Sequence, residues 1–303
     1  MKIEGFTYVR NGLKMGYPFI ASIQSVLPVV DKLFVVVGDS EDGTREVIEN
    51  LKDNRIVIID SVWDEEQRNN GRIFGEQANI GLKEITGDWA IHIQADEVFH
   101  ESDREELLNY MKMADEYDGI DGLLFPFYHF WGDYQHIRQT RRTHAFEIRA
   151  FKTKRDVLSY NDSQGFRKFA SSKSDEKGKK LNVLKIEIPV YHYSYTRNPK
   201  LMKKKSNYFN RFWHSNEWLE KHNKESEFDF NDVDILHLFE GSHPKYMAEV
   251  IDKQDWVFKY DPSKSRMSIK DNVLYKIEKL TNHRLFEYKN YKVVPPPPRG
   301  YKS

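Results

Sequence analysis

Short apolar runs alternate with helix-spaced segments over the first 130 residues. Lys2–Val9 predicts a short strand. Over Tyr17–Val26, the residues Ile20, Ile23 and Val26 recur at helical spacing. KLFVVV, residues 32–37, is a continuous β-branched and aromatic run, as expected of a strand buried on both faces. A turn at Gly38–Gly43 leads to a helix over Thr44–Leu51. A second buried strand follows over Arg55–Ile59, then a helix over Ile73–Ile85 that stops near Gly87, then a strand over Trp89–Gln94. Ser102–Glu116 predicts a helix with Ser102 as N-cap and Glu105 closing a capping box. Gly122–Tyr128 is the fifth strand. This alternation predicts an α/β fold with a doubly wound, mainly parallel sheet flanked by helices. Ligands of such sheets sit beyond the carboxyl ends of the strands. The turns after Val9, at 38–43 and at 94–97 should therefore share one crevice.

From about residue 129 the pattern changes. Strand-like stretches at 146–152 and 184–195 are separated by polar loops, and SSKSDEKGKK, residues 171–180, is a highly charged loop by composition. Residues 200–222 and 243–258 predict helices rich in Trp, Tyr and Lys. PPPP, residues 295–298, is an extended polyproline element. These features divide the chain into an α/β domain over residues 1–198 and a helical extension over 199–303 that packs on it and ends in a Pro-rich tail.

Charge and composition remove several classes. The 303 residues carry 47 Lys+Arg and 47 Asp+Glu, a formal net charge of zero, which argues against a nucleic-acid partner. With no cysteine there are no disulfides or thiolate metal sites, so His, Asp and Glu are the strong ligands left, and a reducing compartment fits. MKIEGFTYVRNG contains no long apolar run, so no signal peptide is expected. No stretch approaches the roughly 20 apolar residues of a membrane span. The expectation is a cytoplasmic protein with at most peripheral membrane contact, at the inner face. Lys203–Lys205 and Arg211, interleaved with Tyr208, Phe209, Phe212 and Trp213, form a basic aromatic helix. It can lie on an anionic membrane, close over a diphosphate or dock on the main domain; zero net charge and the lack of a long apolar face favour docking.

Two segments carry candidate chemistry. In IHIQADE, residues 91–97, a buried strand runs into Gln94, Asp96 and Glu97. A carboxylate there can hold a hard cation against a diphosphate, or can simply stabilise the next helix N-terminus. In VVVGDSEDGTREVIENL, Gly38 and Gly43 permit close backbone approach, and Asp42 can accept from a base or ribose. An ordinary strand-to-helix turn with an Asp or Ser cap explains the same letters.

The order of strand, D-S-x-D-G-T turn, strand, G-R…N-x-G-L helix, G-D-W strand and x-A-D-E resembles the inverting family-2 glycosyltransferases of the GT-A fold. The resemblance is strong over residues 3–130. It continues more weakly through RRTHAFEIRAFK, DSQGFRK, VYHYSY and SHPKYMAEVIDKQDW, which look like a bacterial-type subgroup. It implies that Thr7, Arg10 and Asn11 lie against the nucleobase and ribose. It places Asp39 and Asp42 in the same pocket, and Arg72 near the diphosphate or base. Asn79 matches the Asn of the family's following helix. Asp96 matches the last acid of the D-x-D motif, which contacts a Mn²⁺ or Mg²⁺ cofactor. His192, in PVYHYSY, would lie close to the nucleotide as a second metal ligand, although a His beside two Tyr also suits a core or supporting position. Gln94, with Ala95, stands where the family usually has the first acid; Gln hydrogen-bonds ribose hydroxyls but ligates a divalent ion poorly. Gly38 occupies the position that often reads uracil, a departure that leaves the base open; UDP is still the first choice of nucleotide, with GDP or dTDP the alternatives.

Inversion requires a base that deprotonates the acceptor hydroxyl. The candidates are Glu97, Glu147 and Asp162. Strand alternation in FEIRAF sends Glu147 and Arg149 to one face, and Asp162 lies in the Gly-containing loop SYNDSQGFRK. Each acid also suits a surface ion pair with a neighbouring Arg. In FPFYHFWGDY, residues 125–134, Trp131 with Asp133 is the candidate acceptor-sugar platform, or else part of a hydrophobic seam under the C-terminal helices. The expected function is transfer of a sugar from a nucleotide-sugar donor to a glycan, lipid-linked or protein acceptor, as in polysaccharide biosynthesis. The rivals are a sugar-phosphate nucleotidyltransferase, whose Gly-rich N-terminal loop FTYVRNGLKMG only faintly resembles, and a non-catalytic nucleotide- or glycan-binding protein, which the Gln94 replacement favours.

Overall fold

The computed structural model describes residues 1–66, 70–153, 156–163, 165–169, 177–222, 225–281 and 283–297. The apolar runs become the strands β1 (Ile3–Val9), β2 (Lys32–Val37), β3 (Ile56–Asp60) and β4 (Trp89–His92), interleaved with α1 (Phe19–Val26), α2 (Thr44–Glu49) and α3 (Arg72–Lys83). They form a parallel sheet in the order β3-β2-β1-β4. Leu33, Val35 and Val36 are fully enclosed, as a strand covered by helices on both faces requires.

The second half extends this sheet. After β5 (Glu97–Phe99) and α4 (Arg104–Asp115), the strand β6 (Gly122–Trp131) runs longer than its apolar core. The short β7 (His136–Ile137) and then β8 (Phe146–Lys152) follow, and β8 inserts between β4 and β6, antiparallel to both. The strands β9 (Val157–Ser159), β10 (Phe166–Lys168) and β11 (Lys179–Lys185) complete the far side, with β11 parallel to β6. The strand β12 (Val190–Tyr195) pairs antiparallel with β5 and parallel with β6. The sheet is mainly parallel and helix-flanked, as expected.

Three local expectations change. The capping box at Ser102 does not form: a 3₁₀ turn over Glu101–Asp103 precedes α4, and the His100 side chain accepts from the Ser102 N–H. The stretch 184–195 breaks into β11 and β12, which both run parallel to β6 but in different registers along it. The stretch 243–258 is helical only over Lys245–Met247 and α7 (Ala248–Asp252). The remainder of the region beyond residue 198 holds α5 (Pro199–Asn210), α6 (Asn216–His222), the short strand β13 (His237–Leu238), and α8 (Ile269–Thr281). A last strand, β14 (Tyr291–Val294), pairs parallel with β11, so the tail contributes to the main sheet as well as to helices. Residues 171–176 of the charged loop and Pro298 of the polyproline run lie outside the described residues.

Helix α3 packs against the end of β9 and the turn after it. Asn79 accepts a hydrogen bond from the Ser159 N–H at 2.8 Å, and a Cβ at Gly75 would collide with the Asn161 carbonyl oxygen. Gly75→Ala is therefore expected to destabilise the fold by roughly 1–3 kcal/mol, measured by urea unfolding. An unchanged midpoint would mean that the turn yields without cost.

Candidate active site

A cavity of about 390 Å³ opens beyond the carboxyl ends of β1 and β4. Its floor is Gln94, Ala95 and Asp96; one wall is Tyr8 and Arg10 from the end of β1 with Trp63; another is His192, Ser194 and Tyr195 from β12. Helix α5 and the turn after it close it with Lys205, Tyr208, Phe209 and Trp213. The size suits a nucleotide or comparable small ligand (roughly 300–1,000 Å³).

Asp96 is 7% exposed and is the centre of the electrostatics. Lys205 Nζ lies 3.3 Å from its Oδ2, Arg197 Nη2 4.0 Å from the same oxygen, and His192 Nε2 3.6 Å from Oδ1. Burial alone would raise its pKa, but Lys205, His192 and Arg197 outweigh burial and hold the carboxyl well below its usual range. The opposite holds for Lys205. Burial and the nearby Arg197 outweigh Asp96 and push the ammonium down to about 7. One acid is shared among an excess of cations.

The hydrogen bonds around His192 define its tautomer. His129 Nε2 faces the His144 carbonyl at 2.8 Å and must donate, so its Nδ1 accepts from His192 Nδ1, also at 2.8 Å. Burial pushes the His129 pKa well down, keeping that ring neutral. His192 Nε2 is then left facing Asp96 Oδ1. Two lone-pair donors in that arrangement call for a cation between them, either a proton or a metal ion. Among the described residues no three His, Asp or Glu side chains form a metal cage. The chain thus offers a carboxylate oxygen and an imidazole nitrogen, a set that fits a divalent ion whose remaining ligands are phosphate oxygens and water.

The other expected site residues fall in three groups. Arg10, Gln94, Ala95, Asp96 and His192 line the cavity together. Asp39 stands behind it, paired with Arg10 Nε at 2.8 Å. Thr7, Asn11, Asp42 and Arg72 do not line it. Thr7 is buried in β1, and Asn11 accepts from the Glu41 N–H. Asp42 accepts from the Lys14 and Thr44 N–H groups, locking the turn, and Arg72 is exposed beside Glu76. Of the candidate bases, Glu97 is fully buried and held by Arg149 through two bonds of 2.6 and 2.7 Å. Glu147 is half-buried near Arg149, and its Oε2 lacks a hydrogen-bond partner among the described residues. Asp162 lines a second, outer cleft of about 850 Å³ that also holds Tyr160, Asn161 and Arg72 and meets the first cavity at Trp213. Trp131 is 5% exposed, stacked on Tyr195 and bonded to the Phe230 carbonyl. Asp133 caps the following turn and holds His136. Both belong to the seam beneath the C-terminal region, the second of the two readings given to that segment.

Residues 17–174, more than half of the chain, match the sequence pattern of glycosyl transferase family 2. The chain belongs to that family. No curated protein matches it. Among solved structures, it is similar to TarS of S. aureus, with 14% identity and a TM-score of 0.39 over 68% of this chain and 38% of that one. It is also similar to the TarS 1–349 fragment in complex with UDP-GlcNAc, with 13% identity and a TM-score of 0.39 over 68% and 65%. Glucosyl-3-phosphoglycerate synthase from Mycobacterium tuberculosis, with Mn²⁺, UDP-glucose and phosphoglyceric acid, gives 22% identity and a TM-score of 0.29 over 43% and 45%. The chain thus spans between 38% and 65% of these TarS chains. Among the described residues of this family-2 glycosyltransferase no helix is long and apolar enough to cross a membrane.

The cavity residues not anticipated from the sequence are Lys205 and its neighbour Arg197, the aromatic wall of Tyr8, Tyr17 and Trp63, and His129 behind His192. For Lys205 a signal existed in the basic aromatic run 203–213, since closure over a diphosphate was one of its readings.

Glu147 carries a pH dependence. Burial lifts its pKa to about 8, against the opposing charge of Arg149. Between its unfolded value near 4.3 and about 8 the folded state binds the extra proton, so stability falls as pH rises across that window. Glu147→Gln should remove this decline, giving a variant more stable than the parent at pH 7.5 and equal to it at pH 4. Parallel stability–pH curves for the two proteins would contradict the assignment.

Proposed function

We propose that this family-2 glycosyltransferase moves a sugar from a nucleotide-sugar donor, UDP-linked by preference, to a hydroxyl acceptor on a glycan, lipid-linked or protein substrate with inversion. The observation that carries the reading is the Asp96–His192 pair, set at a strand end in a cavity walled by aromatic side chains. The nucleoside lies between Tyr8, Trp63 and Tyr208, with Arg10 and Gln94 available to its polar edge. Arg10 is preorganised for this by ion pairs to Asp39 and Glu65. Asp96 and His192 would hold Mn²⁺, better suited than Mg²⁺ to a mixed oxygen–nitrogen set, and the ion would supply positive charge to the departing diphosphate.

In the transfer, the acceptor oxygen bonds to the anomeric carbon as the bond from that carbon to the β-phosphate oxygen breaks. The electron pair leaves with the diphosphate, and the acceptor proton passes to a carboxylate. Asp162 is the preferred base. It lines the outer cleft, and Trp213 borders both that cleft and the donor cavity. An acceptor laid across Tyr160, Asn161 and Trp213 would present a hydroxyl to it. Glu97 is committed to Arg149, and Glu147 holds its proton near neutrality. Residues 1–198 and 199–303 serve in this reading as one catalytic unit, because α5 closes the donor cavity.

Calorimetry with UDP, GDP and dTDP in the presence of Mn²⁺ tests the donor assignment, with UDP expected to bind most tightly. Binding of none of the three would sink the proposal. Asp96→Ala should lower turnover by about 100-fold or more. Asp162→Asn should lower kcat by roughly 100- to 10,000-fold with UDP affinity retained; unchanged kcat would reject Asp162 as the base.

A further inference from the structure

The donor cavity contains more positive charge than its own acids balance. Arg10 is neutralised by Asp39 and Glu65, and Arg211 also by Glu65. Among the described residues, Lys205 and Arg197 have only Asp96 between them. Arg197 is 3% exposed; it spends its Nε on the Met15 carbonyl and its Nη1 on the Tyr193 and Ser194 carbonyls. Its Nη2 is buried without a hydrogen-bond partner among the described residues. A buried guanidinium nitrogen left open beside a single shared carboxylate calls for an anion.

Lys205 is built for a defined position. Its Nζ donates to the Ser194 carbonyl at 3.0 Å and to the Ser194 hydroxyl at 2.9 Å, which leaves one N–H for Asp96. The rings of Tyr17, Phe209 and Tyr195 lie 5.0, 5.5 and 5.9 Å from the charge and surround it. Two bonds and an aromatic enclosure hold the ammonium at the cavity wall while the third bond remains exchangeable.

We propose that Lys205 is a diphosphate-binding catalytic residue that occupies Asp96 while the cavity is empty and turns its third N–H to the diphosphate when the donor enters. The inference rests on the donor reading above and deepens it. Lys205 holds Oδ2 while Oδ1 faces His192, so an ion at the Asp96–His192 pair would share one carboxylate with the ammonium, and turning the lysine to the diphosphate withdraws that competing positive charge. Ion and diphosphate are then favoured to bind together. During transfer the ammonium faces the phosphate oxygens that receive the electron pair from the broken anomeric bond, while the acceptor proton goes to the base.

The test is Lys205→Gln in the full chain, with binding of UDP, uridine and inorganic pyrophosphate measured by calorimetry in the presence of Mn²⁺, and Mn²⁺ binding without nucleotide measured by electron paramagnetic resonance. The variant should bind UDP and pyrophosphate about 10- to 100-fold more weakly, the loss expected for a charge-assisted hydrogen bond. Uridine affinity should stay unchanged, which also shows that the cavity is folded. Mn²⁺ alone should bind more tightly, because a positive charge beside the same carboxylate is removed. Equal weakening of UDP and uridine, or unchanged UDP and pyrophosphate affinity, overturns the proposal. Parent protein that binds pyrophosphate through Lys205 but no nucleoside diphosphate would refute the nucleotide-donor reading and leave the anion site standing. Parent protein that binds neither refutes both.

Discussion

The Glu97–Arg149 ion pair is the constraint on which the site depends. It joins the turn after β4 to the middle of β8, and both partners are buried. Glu97 Oε2 also accepts from the Gln94 N–H, so the same carboxylate fixes the backbone on both sides of Asp96. Arg149 lies over the Phe127 ring of β6, which extends the tie to a third strand. Removing one partner of a buried pair costs about 3–5 kcal/mol because the other is left charged and unpaired. That is a large share of a typical folding free energy. The pair fits a role in placing the Gln94–Asp96 floor, and its cost explains why Glu97 is poorly suited to accept a proton from substrate.

Much of the first half was legible in the sequence because the signals there are local. Continuous β-branched runs mark strands covered on both faces, and β1 to β4 fall within a residue or two of their apolar boundaries. Topology then brings the strand ends together, which is why Arg10, Gln94 and Asp96 could be named before their geometry was known. The turn 38–43 illustrates the limit. Its acids resemble ligand contacts, yet Asp42 is consumed by the Lys14 and Thr44 N–H groups. A sequence shows that a carboxylate is present but not whether backbone donors have already claimed it.

The second half was less legible because its elements are decided by distant partners. Trp131 and Asp133 follow directly from a sheet strand, as an acceptor platform would. The indole is nevertheless covered by Tyr195 and by Phe228 and Phe230, which lie roughly a hundred residues downstream. Glu147 and Arg149 share a face, as alternation predicts, but only the pairing of Arg149 with Glu97 decides which of the acids is left without a strong partner. Such choices depend on contacts that no local pattern encodes.

The cavity extends past the point where the composition changes. A boundary at residue 198 follows composition, since the strand-rich region gives way to helices there. The cavity does not respect it. Met202, Lys205, Tyr208, Phe209 and Trp213 form its outer wall, and Phe212 and Phe209 pack on Phe74 of α3. Without α5, Asp96 would lose Lys205, and Phe74 and Trp63 would be open to water. The carboxylate would keep His192 and Arg197 but stand in a wetter environment, where charges are screened and count for less. Helix α5 therefore supplies both a charge and the low-dielectric enclosure that makes the charge effective, so it is part of the cavity and not beside it.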